Sequence, residues 1–397
     1  MDILSIIVIV SFIIFAGYLG ELGFIKFRFP DILILMLIGY LITSLLRLNV
    51  NTILYSYLPL AATISLIIIL FEGGVSLKIS MITDVLKKSI SMAFAYYFIT
   101  FFLITILIYF AFGINFSISI LYASILSAPS VAIVIPLINR SNIEEKRRHL
   151  YIVYVTILDL LSIVVTISLL NYFPINTSAL LPVTISLLTN IFAQTFFGFL
   201  AGIFWIELLR KIERVELSYM LTLGFLLAIY SLSYLMWKNG MITAMVFGIV
   251  LGNNSSIRRL LKLKEYTIDE NIFRFNKEVV FFMRTLIFVA IGSILIITFN
   301  LNTFILIISI IIIIYVSQMI VSRIWEGLAF DRYSNYIMPR GLTQIVLGIL
   351  TITTIYSIGE QFLQYVSYVV IISNIISAII IYIKKINIIS ISNLHRH

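Results

Sequence analysis

The chain contains no cysteine, which excludes a disulfide framework, thiol chemistry and a thiolate metal site. Histidine is nearly as scarce. There are three, two of them in the C-terminal tail, so no histidine-built metal centre and no resident cofactor are expected. Charge is also sparse, at 11% of residues against about 25% in a soluble globular protein. No polar stretch is long enough for a separate soluble domain; the longest, about Asn253–Lys277, reads as a loop. Nor do the apolar segments hold the paired acids or the His/Cys/Ser groupings that a membrane-bound enzyme would need.

What is abundant is apolar sequence: 61% hydrophobic residues and a mean hydropathy of +1.12 over 397 residues. The chain reads as an all-α polytopic membrane protein, a single membrane domain over residues 1–397. A span takes about 20 apolar residues, and about thirteen segments qualify: 3–21, 31–48, 53–72, 89–112, 116–139, 149–170, 179–206, 217–236, 240–253, 277–299, 301–322, 337–357 and 362–383. Met1–Ile14 has neither a basic leader nor a small-residue cleavage site, so it reads as the start of the first span.

The net charge of +9 would suggest nucleic acid in a soluble protein; here it reads as topology, with no nucleic-acid partner. The cations fall in every second loop: Lys26 and Arg28; Lys78, Lys87 and Lys88; Arg140 and Lys146 to Arg148; Arg210, Lys211 and Arg214; Arg258 to Lys277; Arg323 and Arg332; and the tail with Lys384, Lys385 and Arg396. The intervening loops hold only Arg47 and Lys238. This alternation puts the N-terminus outside and the C-terminus in the cytoplasm of a multi-pass protein of the cell membrane.

An odd number of spans fits two inverted repeats around one linker helix, spans one to six and eight to thirteen. Spans five and twelve are then equivalent, and both are interrupted: the fifth at Ser127-Ala128-Pro129-Ser130, the twelfth at Met338-Pro339-Arg340-Gly341. Paired interruptions in matching positions are the best sequence pointer to a transporter binding site. No residue-level repeat accompanies them.

One carboxylate, Asp159, sits near the middle of the sixth span. An ionisable group at that depth costs about 2.5–3.5 kcal/mol on insertion scales, so its default reading is functional. Thr156 and Ser162, three residues to either side, share its helix face. Ser127 and Ser130 add hydroxyls, and the break at Ala128 and Pro129 adds free carbonyls. Such hard oxygens suit a small cation, and Na⁺, Li⁺ or K⁺ would compete with H⁺ for the one charge. The bland alternative is a structural Asp paired with Arg284, or a simple Pro kink. Glu72, ahead of Gly73 and Gly74, reads equally as a second ligand or relay at the cytoplasmic mouth and as an interfacial Glu facing water. Arg284, inside span ten, is expected to face a carboxylate, helix C-terminal carbonyls or water. Arg340 reads as scaffolding at the cytoplasmic edge that steadies the second broken span. Tyr154 and Gln318 are buried polar residues with no role visible from the residues alone.

Several stretches resemble the monovalent cation/proton antiporter superfamily of sodium/proton exchangers and Kef-type potassium/proton antiporters. They are Phe29 to Leu35 with Gly39; Leu70-Phe71-Glu72-Gly73-Gly74; Ser127 to Ala132; Leu158-Asp159; Met245 to Asn253; Arg284 to Val289 with Gly292; and Pro339-Arg340-Gly341. The resemblance implies a core, or transport, subdomain at 89–170 and 301–383 and a scaffold, or dimerisation, subdomain at 1–88 and 179–299. It also implies two discontinuous helices crossing near Asp159, alternating access of elevator type, and a homodimer. The chain departs from the pattern in three respects. Leu158 stands where the family carries Asn or Asp. Ala128-Pro129-Ser130 offers no acid. Tyr154 and Gln318 occupy the positions of a Glu and its basic partner, which points to a neutral hydrogen bond in place of an ion pair.

The resulting expectation is electroneutral exchange of a monovalent cation, Na⁺ favoured, for H⁺, with Asp159 as the shared site. A K⁺/H⁺ antiporter, an inactive or sensor homologue, and an anion transporter using Arg284 are the competing readings.

Overall fold

The computed structural model describes residues 3–27, 30–46, 51–77, 86–139, 145–174, 180–212, 218–264, 266, 268, 270–296, 300–325, 336–355 and 359–394. The loop cations Arg28, Arg47, Lys78, Arg140, Arg214, Arg332 and Arg396 lie outside them. Every regular element among the described residues is a helix. In hydrocarbon each backbone N–H and C=O has to be satisfied within the chain, and a helix does this segment by segment.

In order, the helices are α1 (Ile3–Phe27), α2 (Asp31–Leu46), α3 (Asn51–Ser76), α4 (Leu86–Ile106), α5 (Phe116–Leu126), α6 (Val131–Asn139), α7 (Glu145–Asn171) and α8 (Leu180–Lys211). Then come α9 (Ser218–Trp237), α10 (Met241–Gly252), α11 (Asn254–Leu260), α12 (Glu270–Ile294), α13 (Leu301–Ile324), α14 (Leu342–Thr354) and α15 (Gly359–Leu394). Among the described residues, 8 of the helical stretches are individually long and apolar enough to cross a membrane; Ser11–Gly23, Asp31–Ser44, Met241–Gly252 and Leu342–Ile352 are shorter apolar helices. The expected span at 277–299 is α12, which starts seven residues earlier, in a charged turn with Arg274, Lys277 and Glu278. The expected fifth span is two helices, α5 and α6.

Local chemistry explains several ends. A π-helical turn, Leu107–Ala111, closes α4. Gly113 then takes φ 63°, a left-handed conformation that glycine adopts without a Cβ penalty. Asn115 caps α5, its side chain accepting the Ser117 N–H at 2.9 Å, and Asn300 caps α13 in the same way through Asn302 at 3.0 Å.

The helices fall into two packed groups. In one, α3 lies along α10, α2 along α12, and α8 against α10. In the other, α4 packs on α5, α7 and α13, and α14 on α15. The α2–α12 and α3–α10 crossings are built alike. A Cβ on Gly39 would strike the Val289 carbonyl, and one on Gly292 the Met36 carbonyl; Gly74 meets the Met245 carbonyl and Gly248 that of Phe71. In each crossing the carbonyl lies three residues before the glycine on both helices, so the two backbones touch reciprocally. Small residues at membrane helix crossings permit this approach. α14 spans the groups, reaching α3, α5, α7 and α12.

Candidate functional site

Two interruptions meet inside the second group. Ser127 ends α5: its N–H and its hydroxyl both reach the Ala123 carbonyl, at 3.0 and 2.6 Å. Pro129 has no N–H to continue the helix. Ser130 restarts it as α6, its carbonyl accepting from Ile133 and Val134. Opposite this break, residues 337–341 are non-helical and lead into α14. The Ser130 N–H donates to the Pro339 carbonyl at 2.9 Å, and a Cβ on Gly341 would collide with the Ser130 side chain, so only glycine lets the two breaks touch.

Asp159, on α7, is 5% exposed and faces this junction. Thr343, in the first turn of α14, donates to its Oδ2 at 3.0 Å. The Val131 N–H at the start of α6 and the Gln344 amide also face the carboxylate, without closing to hydrogen-bond geometry. The N-terminal ends of two half-helices therefore point at one anion, the arrangement that helix dipoles favour. Among the described residues Oδ1 has no hydrogen-bond partner, and neither do the buried Ser130 Oγ and Gln344 Nε2. An unpaired carboxylate oxygen in the interior is costly, and such an atom calls for an explanation beyond packing.

Arg340 corrects the expectation of an edge residue: it is 0% exposed, beside the junction. Its Nε and Nη2 donate to the Leu126 carbonyl at 3.0 and 2.9 Å, Nη1 to the Met338 carbonyl at 2.7 Å, and Nη2 also to Tyr96 Oη at 3.1 Å. Its backbone is held by Ser373 and Asn374 on α15. The guanidinium thus occupies the negative C-terminal end of α5. Among the described residues it forms no ion pair.

The other expected residues separate. Thr156 turns back on its own helix, donating to the Ile152 carbonyl at 2.7 Å, and its hydroxyl keeps lone pairs free. Ser162, expected beside Asp159, instead donates to the Ser124 and Ile125 carbonyls at 2.9 and 3.3 Å and ties α7 to α5. Ser127 is spent on its own helix end, and Ala128 is buried in the break. Tyr154 donates to Gln318 Oε1 at 2.8 Å, a neutral contact between α7 and α13. Arg284 does not reach Asp159: it pairs with Asp31 at 2.8 Å, at the N-terminus of α2. Glu72 accepts from Asn276 Nδ2 at 2.6 Å and lines a cavity of about 500 Å³ with Glu21, Lys277, Glu278, Arg284 and Val131. Val131 and Ala132, at the start of α6, form part of its wall, so the cavity lies against one edge of the junction. Sequence reasoning missed Thr343, Gln344, Asp31 and Asn276. Thr343 and Gln344 had a usable signal, since they form the first turn after an interrupted span.

Broken helices meeting at a buried carboxylate, among helices of membrane-spanning length, belong to a multi-pass membrane protein. The chain belongs to the sodium/hydrogen exchanger family: the family model described as "Sodium/hydrogen exchanger, transmembrane" matches residues 9–385. The fold is similar to that of the sodium proton antiporter MjNhaP1 from Methanocaldococcus jannaschii at pH 8, with a TM-score of 0.78 and 19% identity over 95% of this chain and 100% of that one. An electron-microscopy structure of the same antiporter gives a TM-score of 0.74 at 19% identity, over 97% and 96% of the two chains. No curated protein matches the sequence.

Proposed function

We propose that the protein exchanges a monovalent cation, Na⁺ before Li⁺ or K⁺, for H⁺ across the cell membrane, with Asp159 holding one or the other. Family membership supports cation/proton antiport as the class of activity. The observation that carries the site is Asp159 itself: 5% exposed, at the meeting of two half-helices, with one carboxylate oxygen unpartnered. Thr343 and Thr156 offer hydroxyl oxygens from the flanking turns, and Ser130 Oγ is free to join them.

The charges give the stoichiometry. Asp159 carries one negative charge and Arg340 one positive charge that stays fixed throughout. Loading Asp159 with a cation or with a proton leaves the junction with the same net charge. Equal charge crosses in each direction, so the exchange is electroneutral. In this reading residues 89–170 and 301–383 form the moving core, and 1–88 and 179–299 the scaffold through which two copies pair in the bilayer. The same reading has about thirteen spans in two inverted repeats with the N-terminus outside, and so the Glu72 cavity on the cytoplasmic side. Glu72 then serves as a polar lining that leads cations inward, its carboxylate partly engaged by Asn276.

The anion-carrier reading loses its main support because Arg284 is already paired with Asp31. The test is proton flux in proteoliposomes driven by Li⁺, Na⁺, K⁺ or Rb⁺, with the voltage free or clamped. Na⁺ and Li⁺ are expected to drive flux that the clamp leaves unchanged. Flux driven by K⁺ and Rb⁺ instead would make the protein a potassium antiporter. Cation binding without flux would make it a sensor and overturn the transport assignment.

A further inference from the structure

Away from the junction, the ends of α8 and α11 form a cationic corner that exchange does not use. Glu207 on α8 is shared by two guanidiniums, Arg210 at 2.7 Å and Arg258 at 2.7 Å. Arg258 is only 3% exposed, and its Nε is held by the Lys264 carbonyl, yet among the described residues its Nη2 has no partner; nor does the Arg210 Nε. Among the described residues one acid faces both guanidiniums, so the corner keeps a net positive charge that favours an anion. Exposed Arg259, Lys262 and Lys264 stand beside it on α11 and the turn that follows.

The backbone of that turn is shaped for display. The Leu263 N–H donates to the Arg258 carbonyl and the Lys262 N–H to that of Arg259, the paired bonds of a helix C-cap that normally ends in glycine. Lys262 fills the left-handed position instead, at φ 54°. A charged side chain is thus kept where a smaller residue would be less strained. Between these cations Leu260, Leu261 and Leu263 are 80%, 40% and 37% exposed. Cations interleaved with outward-facing leucines fit the boundary between phosphate headgroups and acyl chains, where apolar side chains insert and Lys or Arg meet anionic lipid.

We propose that this corner binds the phosphate of an anionic phospholipid in the leaflet that faces the basic loops. Exposed Arg259, Lys262 and Lys264 supply the contacting charge, Arg258 and Arg210 the positive field behind them, and the leucines the acyl contact. Phosphate alone would leave the leucines without a role. The corner belongs to the α3–α8–α10 group, through Glu207 on α8 and through Asn253, whose Nδ2 donates to the Leu77 carbonyl at 2.6 Å. A bound lipid therefore anchors the part of the protein proposed to stand still.

The proposal takes from the exchange reading only that these helix ends lie at one membrane surface, and the test reads binding rather than flux. Full-length protein in mild detergent is melted with phosphatidylglycerol, with phosphatidylcholine of the same acyl chains, or with inorganic phosphate. Phosphatidylglycerol is expected to raise the melting temperature by about 4 °C or more and the other two by far less. The triple variant Arg259→Gln, Lys262→Gln, Lys264→Gln, which alters only exposed side chains, should keep its melting temperature in phosphatidylcholine and lose at least half of the phosphatidylglycerol shift. An equal shift with phosphatidylcholine, a full shift with inorganic phosphate, or an undiminished shift in the triple variant would overturn the proposal. Lipid stabilisation that persists in a protein without flux would leave it standing while the exchange reading fails.

Discussion

Asp159→Asn abolishes cation-driven proton flux, by at least about 100-fold, and leaves the folded protein intact. The expectation follows from the neighbours of that side chain. Asn has the same shape, and its carbonyl oxygen still accepts from Thr343 at the position where Oδ2 now lies 3.0 Å away. It carries no charge to hold a cation and takes up no proton near neutral pH. Removing a buried charge that lacks an ionic partner also removes a desolvation cost, so stability should hold or rise. The check is flux in proteoliposomes beside the melting temperature of the same preparation. A variant that still couples cation to proton movement would remove Asp159 from the mechanism, whereas a variant that fails to fold would make it structural.

Arg340→Met has a comparably large effect on a different quantity. Four side-chain hydrogen bonds end on the Leu126 and Met338 carbonyls and on Tyr96. Met fills the volume and leaves those acceptors bare in the protein interior, at a cost of about 1–3 kcal/mol each. A loss of at least about 3 kcal/mol is expected, seen as a lower melting temperature in detergent and a poor monodisperse yield. Arg340→Lys keeps the charge but not the planar fork, and should recover only part of the loss. A stable Arg340→Met protein would mean that the two breaks are held together by something other than this residue.

Some of this was legible in the sequence, for reasons that can be named. Asp159 stood out because a carboxylate in an apolar run is expensive wherever it faces. The interruptions at Ser127–Ser130 and before Gly341 announced themselves through proline and glycine, whose backbone limits are local. The substitution of Tyr154 and Gln318 for a charged pair pointed to a neutral hydrogen bond, and the two side chains lie 2.8 Å apart.

What stayed hidden depends on contacts between distant segments. Arg340 follows the polar run Tyr333-Ser334-Asn335 and therefore reads as an edge residue. Its charge is accepted in the interior only because the Leu126 carbonyl, 214 positions away, presents a helix C-terminus to it. Helix periodicity places Ser162 on the Asp159 face but does not say which helix covers that face; α5 does, and takes the hydroxyl. The pairing of Arg284 with Asp31 joins α12 to α2 and has no local signal. The glycines are the instructive case. Gly39 with Gly292, and Gly74 with Gly248, follow one reciprocal spacing rule at two crossings. Scattered over more than 200 positions, that relation becomes visible only when the helices are seen in contact.

Counting the protons released when the cation binds is the most direct test of a carboxylate shared between cation and proton. Calorimetric titration of Na⁺ into the purified protein, repeated in buffers of different ionisation enthalpy, gives that count. Where the site is largely protonated before titration, close to one proton should leave for each Na⁺ bound, with neither binding nor release in Asp159→Asn. Na⁺ binding to the unaltered protein with no proton release at any pH would contradict the account.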